Sequence, residues 1–518
     1  MARQQAPTAE QDAHDLAEFG YVQRLDRSIG RFSSFAAGVS YISILTGTFQ
    51  LFYFGYSGVG PLYVLSWPLV FLGQLMVALC FAELAARFPV AGSVYNWTKK
   101  LASPTTAWMA GWMMLTASVV SMAAVTLAYQ LTLPQIWSGF QMVGDGTGTY
   151  DVAINAVILG TALLVFTTLI NALGVRLLAR INSVGVAIEL GAAVVLVVLL
   201  AFAVRRGPDV ALQTNDIAAD HSGGVLGAFL VASLASGYVM YGFDTASSLG
   251  EETVDPRRTG PTAIIRAIVA SFILGGLILL LGLMAVPDLA DPLLGSSTGG
   301  LQRVVLQVLP TGLGTALLCC IAVAITVCAL AVHTAAIRLV FAMARDDALP
   351  ASSQLARVHP RRRTPWVAAL VIGLLGVAIL VANIRQAQIF TVVTSIAVVL
   401  IYLAYLMVTG PMLVRRLRGT WPPPPPAGQR EGDREYFSLG RWGLPVNIAA
   451  VVWGAAMALN LAWPRAEVYD AAEPHHWYLR YGAFLFIGAV VAVGLIWCRL
   501  RLRSGRAVLA EHAVASTP

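Results

Sequence analysis

Apolar residues gather into twelve long runs separated by short polar connections, near 33–56, 60–86, 106–137, 151–174, 182–204, 224–249, 263–286, 312–344, 365–383, 388–409, 443–463 and 478–498. A bilayer core of about 30 Å needs about 20 mostly apolar residues per helix, so the pattern predicts twelve transmembrane helices and an all-α membrane protein. One connection differs from the others. Trp421 to Pro426, followed by Ala427 to Arg434, is Pro-rich and charged, which predicts an extended loop. The chain then divides into an N-terminal segment over 1–32, a ten-helix core over 33–409, the Pro-rich loop over 410–442, two further helices over 443–500 and a tail over 501–518.

Composition agrees with this reading. The 518 residues are 57% apolar and only 12% charged, with a mean hydropathy of +0.72, against about 25% charged residues in soluble domains. A secreted or cytosolic enzyme is excluded. The 34 Lys and Arg residues decide the orientation, because positive charge near helix ends stays in the cytoplasm. With the N-terminus inside, 27 of them fall on cytoplasmic segments and six, Arg205, Arg206, Arg303, Arg385, Arg465 and Arg480, on the other side. The remaining one, Arg338, lies within the eighth run. Both termini are therefore expected in the cytoplasm of a cell whose cytoplasmic membrane holds the chain. The net charge of +7 follows from topology and implies no nucleic-acid partner. The first thirty residues lack the short apolar stretch of a signal peptide, so the first helix is expected to serve as its own insertion signal. Cys80, Cys319, Cys320, Cys328 and Cys498 lie in or at the ends of apolar runs without metal-ligand spacing and read as small core residues. Neither a metal nor a cofactor is implied.

Two runs contain features that an unbroken membrane helix avoids. The first carries Ser43, Ile44, Leu45, Thr46, Gly47 and Thr48, with a Thr-Gly-Thr cluster near mid-depth; the sixth carries Tyr238, Met240, Tyr241, Gly242, Phe243 and Asp244. These runs head two five-helix halves, the positions at which an inverted-repeat transporter places discontinuous helices. Unwound backbone is tolerated at membrane depth only where it lines a cavity. Residues 43–49 and 238–244 are therefore expected to be non-helical, to face one another across a cavity, and to bind substrate there. A half-helix N-terminus attracts a carboxylate, and opposing carbonyls attract an ammonium. Glycines in membrane helices also mark close packing; their pairing in two matching runs favours the site.

Several segments carry a family resemblance. Phe81-Ala82-Glu83-Leu84-Ala85-Ala86-Arg87-Phe88-Pro89 and Ala91-Gly92-Ser93-Val94-Tyr95-Asn96-Trp97 resemble the second-helix end and following loop of amino acid permeases of the amino acid/polyamine/organocation superfamily. Tyr241 to Asp244, Glu251-Glu252-Thr253 and Phe341 to Pro350 are similar to its sixth-helix break and eighth-helix end. Phe437 to Asn447 resembles the amino acid/choline transporter branch. The resemblance implies a leucine-transporter-type fold, a five-plus-five inverted repeat with two additional C-terminal helices. It also implies a proton-coupled symporter that imports an amino acid or an amine such as GABA or choline by alternating access. Many relatives carry Gly-x-Gly in the first break, whereas Leu45-Thr46-Gly47 keeps only the second glycine. In proton-coupled relatives a lysine occupies the place matching Glu189, where its ammonium stands in for a sodium ion.

Ionisable groups at membrane depth cost about 2.5–3.5 kcal/mol each, so each needs a partner or a task. Glu189, Asp244, His333 and Arg338 form the short list. Counting from Asn182 at about 1.5 Å per residue places Glu189 roughly 10 Å into the membrane. A carboxylate there can carry a proton, attract a sodium ion, or sit in a fixed salt bridge with Arg338. Asp244 either binds ammonium or compensates the dipole of the second half-helix, the reading preferred here, with the ammonium on the carbonyls of Tyr238 to Tyr241. His333 either titrates as part of coupling or packs, and Arg338 snorkels or pairs with an acid. Glu83 is expected to cap or pair with Arg or Lys at the cytoplasmic end. Glu251 and Glu252 are expected beside Arg257 and Arg258, as solvated pairs or as an inner gate. Tyr238, Tyr241 and Phe243 are expected to cover and occlude a cationic ligand, while Ser118 and Ser121 either line the cavity or bond back to their own helix. No Walker A loop or catalytic triad order is present. A ligand sensor without turnover, a channel, and a sodium-coupled carrier or exchanger are the competing readings. The substrate's identity and the oligomeric state stay open.

Overall fold

The computed structural model describes residues 29–218, 221, 223–385, 389–423, 436–469 and 475–503. Among these residues the chain is helical without a strand; its one extended pairing is a parallel bridge between Ile29 and Thr253. The helices are α1 (Arg31–Ile42), α2 (Ile44–Val59), α3 (Ser66–Arg87), α4 (Ser93–Leu101), α5 (Pro104–Ile136), α6 (Asp151–Leu173) and α7 (Val175–Phe202). They continue as α8 (Gly224–Val239), α9 (Thr245–Ser248), α10 (Pro256–Ala285), α11 (Gly300–Val308), α12 (Thr311–Arg345), α13 (Ser352–Leu355), α14 (Trp366–Ala382) and α15 (Ile389–Leu417). Beyond the Pro-rich stretch lie α16 (Gly443–Ala462), α17 (Ala466–Tyr469), α18 (Trp477–Arg480) and α19 (Gly482–Arg503).

Among the described residues, nine stretches are long and apolar enough to cross a membrane, with Arg31–Arg87 counted as one, and α8 and α14 are shorter apolar helices. The protein is an integral membrane protein. Each of the twelve apolar runs carries helix, because in lipid only intrahelical bonding satisfies a single segment's backbone. α5 is the most enclosed of the long helices and packs against α6, α12 and α15, whereas α16 and α19 sit at the periphery. α1 lies against α7, α10 and α12, and α2 against α8.

Three boundaries differ from expectation. α15 runs to Leu417 instead of stopping at 409 and carries Pro411 inside it, since Met412, Leu413 and Val414 prolong the apolar stretch past the proline. α7 begins at Val175, not near Asn182, so Glu189 lies at the middle of this 28-residue helix. α19 extends to Arg503, into the expected tail. Positions 1–28, 424–435 and 504–518 of the predicted terminal segments and loop fall outside the described residues.

Candidate functional site

The first helix breaks at one residue. Ser43 has φ +43° and ψ 95°, with the helical ladder intact on either side through Ser43 N–H to Val39 O at 2.7 Å and Gly47 N–H to Ser43 O at 2.9 Å. Between them Leu45 N–H does not return to Tyr41 O. It donates instead to Glu189 Oε1 at 3.1 Å, while the Tyr41 carbonyl accepts from Cys328 Sγ at 3.5 Å. The Leu45 donor and the Tyr41 acceptor freed at the break are thus met by side chains from α7 and α12. The Ser43 hydroxyl lies 2.9 Å from Glu189 Oε1 and 2.6 Å from Thr46 Oγ1. Glu189 is fully buried, and its Oε2 makes no hydrogen bond. The expected break over 43–49 is corrected: Ile44 to Phe49, including Thr46, Gly47 and Thr48, are helical. Neighbouring side chains, not the glycine, select where the helix opens.

The second break is longer. α8 ends at Val239, and Met240 to Asp244 are non-helical; Tyr238 belongs to the helix. Gly242 has φ +84°, a conformation glycine adopts without strain. Its N–H donates to Tyr405 Oη at 2.9 Å, and the Tyr405 hydroxyl donates to Asp244 Oδ1 at 2.5 Å. Ser93 Oγ donates to Asp244 Oδ2 at 2.8 Å. Asp244 therefore ties the break to α15 and α4. Asp244 stands at the N-cap of α9, a helix of only four residues, and its side chain makes no capping bond to it.

The segments around the two breaks pack directly on each other at Gly47 and Gly242. A Cβ on Gly47 would lie 2.6 Å from Val239 Cγ2, and one on Gly242 would lie 1.8 Å from Tyr41 Cδ1. Each broken helix thus inserts a side chain into the other's glycine notch, where the sequence pattern suggested an intervening cavity. Tyr41 meets Tyr241 edge-on with ring centroids 6.0 Å apart, and Tyr241 meets Tyr238 at 6.0 Å. Phe243 turns elsewhere, into a fully buried cluster with Phe81 at 5.9 Å and Tyr405 at 5.5 Å. The expected aromatic cover accordingly divides into a tyrosine group beside the first break and a phenylalanine in the core.

Other predicted residues find partners away from the breaks. His333 Nε2 lies 3.2 Å from the Ala369 carbonyl and Nδ1 lies 3.0 Å from Thr167 Oγ1; a carbonyl only accepts, so Nε2 carries a proton. The ring thus joins α12 to α6 and α14. Arg338 pairs with Glu252, Nη2 to Oε1 at 3.0 Å, so the proposed Glu189–Arg338 salt bridge does not form. Glu251 pairs with Arg345 at 3.0 Å and accepts Ala91 N–H at 3.1 Å. Both acids are buried against α12 arginines instead of standing solvated beside Arg257 and Arg258. Glu83 accepts from Arg416, from Trp421 Nε1 at 3.3 Å, from Ser438 Oγ at 3.3 Å and from Leu439 N–H at 3.4 Å, as its expected pairing at the Arg-rich end required. Lys99, in the short helix α4 outside the long apolar helices, pairs with Asp346; burial pulls its ammonium below the ordinary range against the opposing pull of Asp346. Ser118 donates to its own helix at Met114 O, 2.8 Å away.

The sequence pattern does not mark Tyr41, Tyr405, Ser93 or Cys328 as parts of the breaks. Their roles rest on contacts between positions more than 140 residues apart, for which a linear pattern carries no signal.

The family model for amino acid permeases matches residues 29–491. The chain is 28% identical to the amino-acid permease BAT1 of Arabidopsis thaliana over 470 residues, 87% of this chain and 88% of the relative. It is 28% identical to the branched-chain amino acid permease BcaP of Bacillus subtilis, over 74% of this chain and 81% of that one. The methylthioribose transporter of the same bacterium is 26% identical over 70% of this chain and 77% of its own length.

Proposed function

The chain belongs to the amino acid permease family, a transporter family and not an enzyme family, and from that premise we propose that it imports an amino acid or an amine such as GABA or choline by proton-coupled alternating access. It does so across the cytoplasmic membrane through twelve transmembrane helices, with both termini inside.

One observation carries the reading: Glu189 holds the Leu45 N–H at the start of α2 through one oxygen while its buried Oε2 makes no hydrogen bond. Among the described residues no ion pair reaches it. A buried carboxylate with neither a cation partner nor a full set of donors needs a proton or a cation. The positive end of α2 would also attract a substrate carboxylate, so Glu189 and substrate compete for the same amides. Protonation of Glu189 weakens its hold on the helix end and admits the substrate at Ser43 to Thr48. The ammonium then lies on the carbonyls from Tyr238 to Tyr241, under the rings of Tyr41, Tyr238 and Tyr241, with Gly242 allowing the close approach. Met240 and Phe243 support that wall from the core.

Glu189→Gln tests the coupling in liposomes holding purified protein. The variant is expected to bind and exchange substrate yet fail to accumulate it under an imposed pH gradient. Accumulation with wild-type pH dependence would remove Glu189 from coupling. Accumulation by the wild-type protein with external sodium and no pH gradient would replace the proton by sodium.

A further inference from the structure

We propose that the turn Pro360–Thr364, at the Arg-rich end of α14, is a binding site for a phospholipid with an anionic headgroup. Three consecutive arginines, Arg361, Arg362 and Arg363, are exposed there, with Arg357 exposed just before them. Among the described residues none of these four has an ion-pair partner. The turn is tightly tied. His359 Nδ1 accepts the N–H groups of Arg361 and Arg362 at 3.3 and 3.2 Å. Arg363 N–H returns to His359 O at 2.8 Å, and His359 N–H reaches Thr364 O at 2.9 Å. Arg363 stands at φ +52°, a left-handed conformation that is unfavourable for a residue with a side chain. Membrane topology alone asks for positive charge on this side; it does not ask that three guanidinium groups be gathered against their own repulsion in a strained, hydrogen-bonded turn. An anion at the turn removes that repulsion.

The second feature is the apolar surface beneath it. Thr364 is buried, and its hydroxyl donates to Ala172 O at 3.3 Å, which seats the turn over the junction of α6 and α7. α6 and α14 pack together and each exposes a stripe at four-residue spacing, Val165, Leu169 and Leu173 on one and Trp366, Leu370 and Leu374 on the other. Both stripes end at the arginine turn. Acyl chains match the stripes and an anionic headgroup matches the guanidinium groups, whereas a free phosphate or an acidic peptide would use only the charge. Attraction of this kind is worth roughly fivefold in affinity per arginine near an anionic surface.

Full-length protein in detergent is titrated with phosphatidylglycerol or phosphatidylcholine, and retained lipid is read by native mass spectrometry with the melting temperature as a second readout. Phosphatidylglycerol should be retained in preference, and R361Q/R362Q/R363Q should weaken that retention on the order of 100-fold. R361K/R362K/R363K, which keeps the charge, should retain most of it and shows that the turn still folds. R418Q/R441Q/R499Q changes three exposed arginines elsewhere on this end and should leave retention at the wild-type level. Equal loss in both Gln triples, or no loss in the first, overturns the proposal. Inorganic phosphate raising the melting temperature as far as phosphatidylglycerol, with the effect absent in R361Q/R362Q/R363Q, assigns the turn to a free anion and likewise overturns it.

Discussion

Cys328 has the chemistry of a small apolar residue in its sequence context, yet its thiol meets the carbonyl that the break in α1–α2 frees. An unmet buried carbonyl costs about 1–3 kcal/mol. Cys328→Ala should therefore lower stability by about 1 kcal/mol, near the low end because a thiol is a weak donor, while Cys328→Ser, which keeps a donor, should hold the wild-type melting temperature. Equal behaviour of the two variants would mean that the thiol serves packing only. Tyr405 makes a sharper case, because it accepts from Gly242 and donates to Asp244 with one hydroxyl. Tyr405→Phe removes a bond to a carboxylate, worth about 1.5–3 kcal/mol, and should reduce uptake together with thermal stability. Unchanged uptake would detach Asp244 from the working of the second break.

Helices α1–α2 and α8 interlock through two glycines, and the consequences of adding a side chain differ between them. Gly242→Ala meets both a positive φ and a Cβ 1.8 Å from Tyr41, so it should abolish uptake. Gly47→Ala faces Val239 within a regular helix at 2.6 Å and asks a side chain to shift, so it should leave partial activity that Val239→Ala restores. Failure of that rescue would show that the notch is not the cause. The aromatic residues divide in the same way. Tyr238→Ala removes a ring from the tyrosine group and should raise KM with little loss of folded protein. Phe243→Ala empties a fully buried site and should cost about 3–5 kcal/mol of stability, read as lost expression before any kinetic change. Twelve apolar runs were legible as helices because hydropathy alone decides insertion. The second break was legible as well, since Met240 to Asp244 open within the expected 238–244; the single residue at which the first helix opens was not, because a helix opens where other helices supply partners for its orphaned groups.

Across the molecule, buried ion pairs concentrate at the Arg-rich end. Glu252–Arg338 and Glu251–Arg345 tie the segment after the second break to α12, Lys99–Asp346 ties α4 to the residue that follows α12, and Glu83–Arg416 ties α3 to α15. Ile29 closes the set by bonding to Glu252 O and Val254 N–H at 2.8 and 3.0 Å. Removing one partner of a buried pair costs about 3–5 kcal/mol because the other charge is stranded. Arg345→Met should therefore loosen this end and speed the reaction of Cys328 with a thiol reagent applied from that side of the membrane. An unchanged rate would leave these pairs as purely structural.

Hydropathy and the distribution of 34 basic residues by themselves determined that this is a helical membrane protein, and local motifs in the right order pointed to its family. Both follow from transfer of single segments into lipid, a property each segment carries alone. Which residues meet at the breaks was decided only by tertiary structure. The opening at Ser43 instead of Gly47, the pairing of Arg338 with Glu252 and not with Glu189, and the use of Cys328 and Tyr405 each depend on which side chain from a distant helix arrives within about 3 Å of a polar group that the backbone leaves unmet.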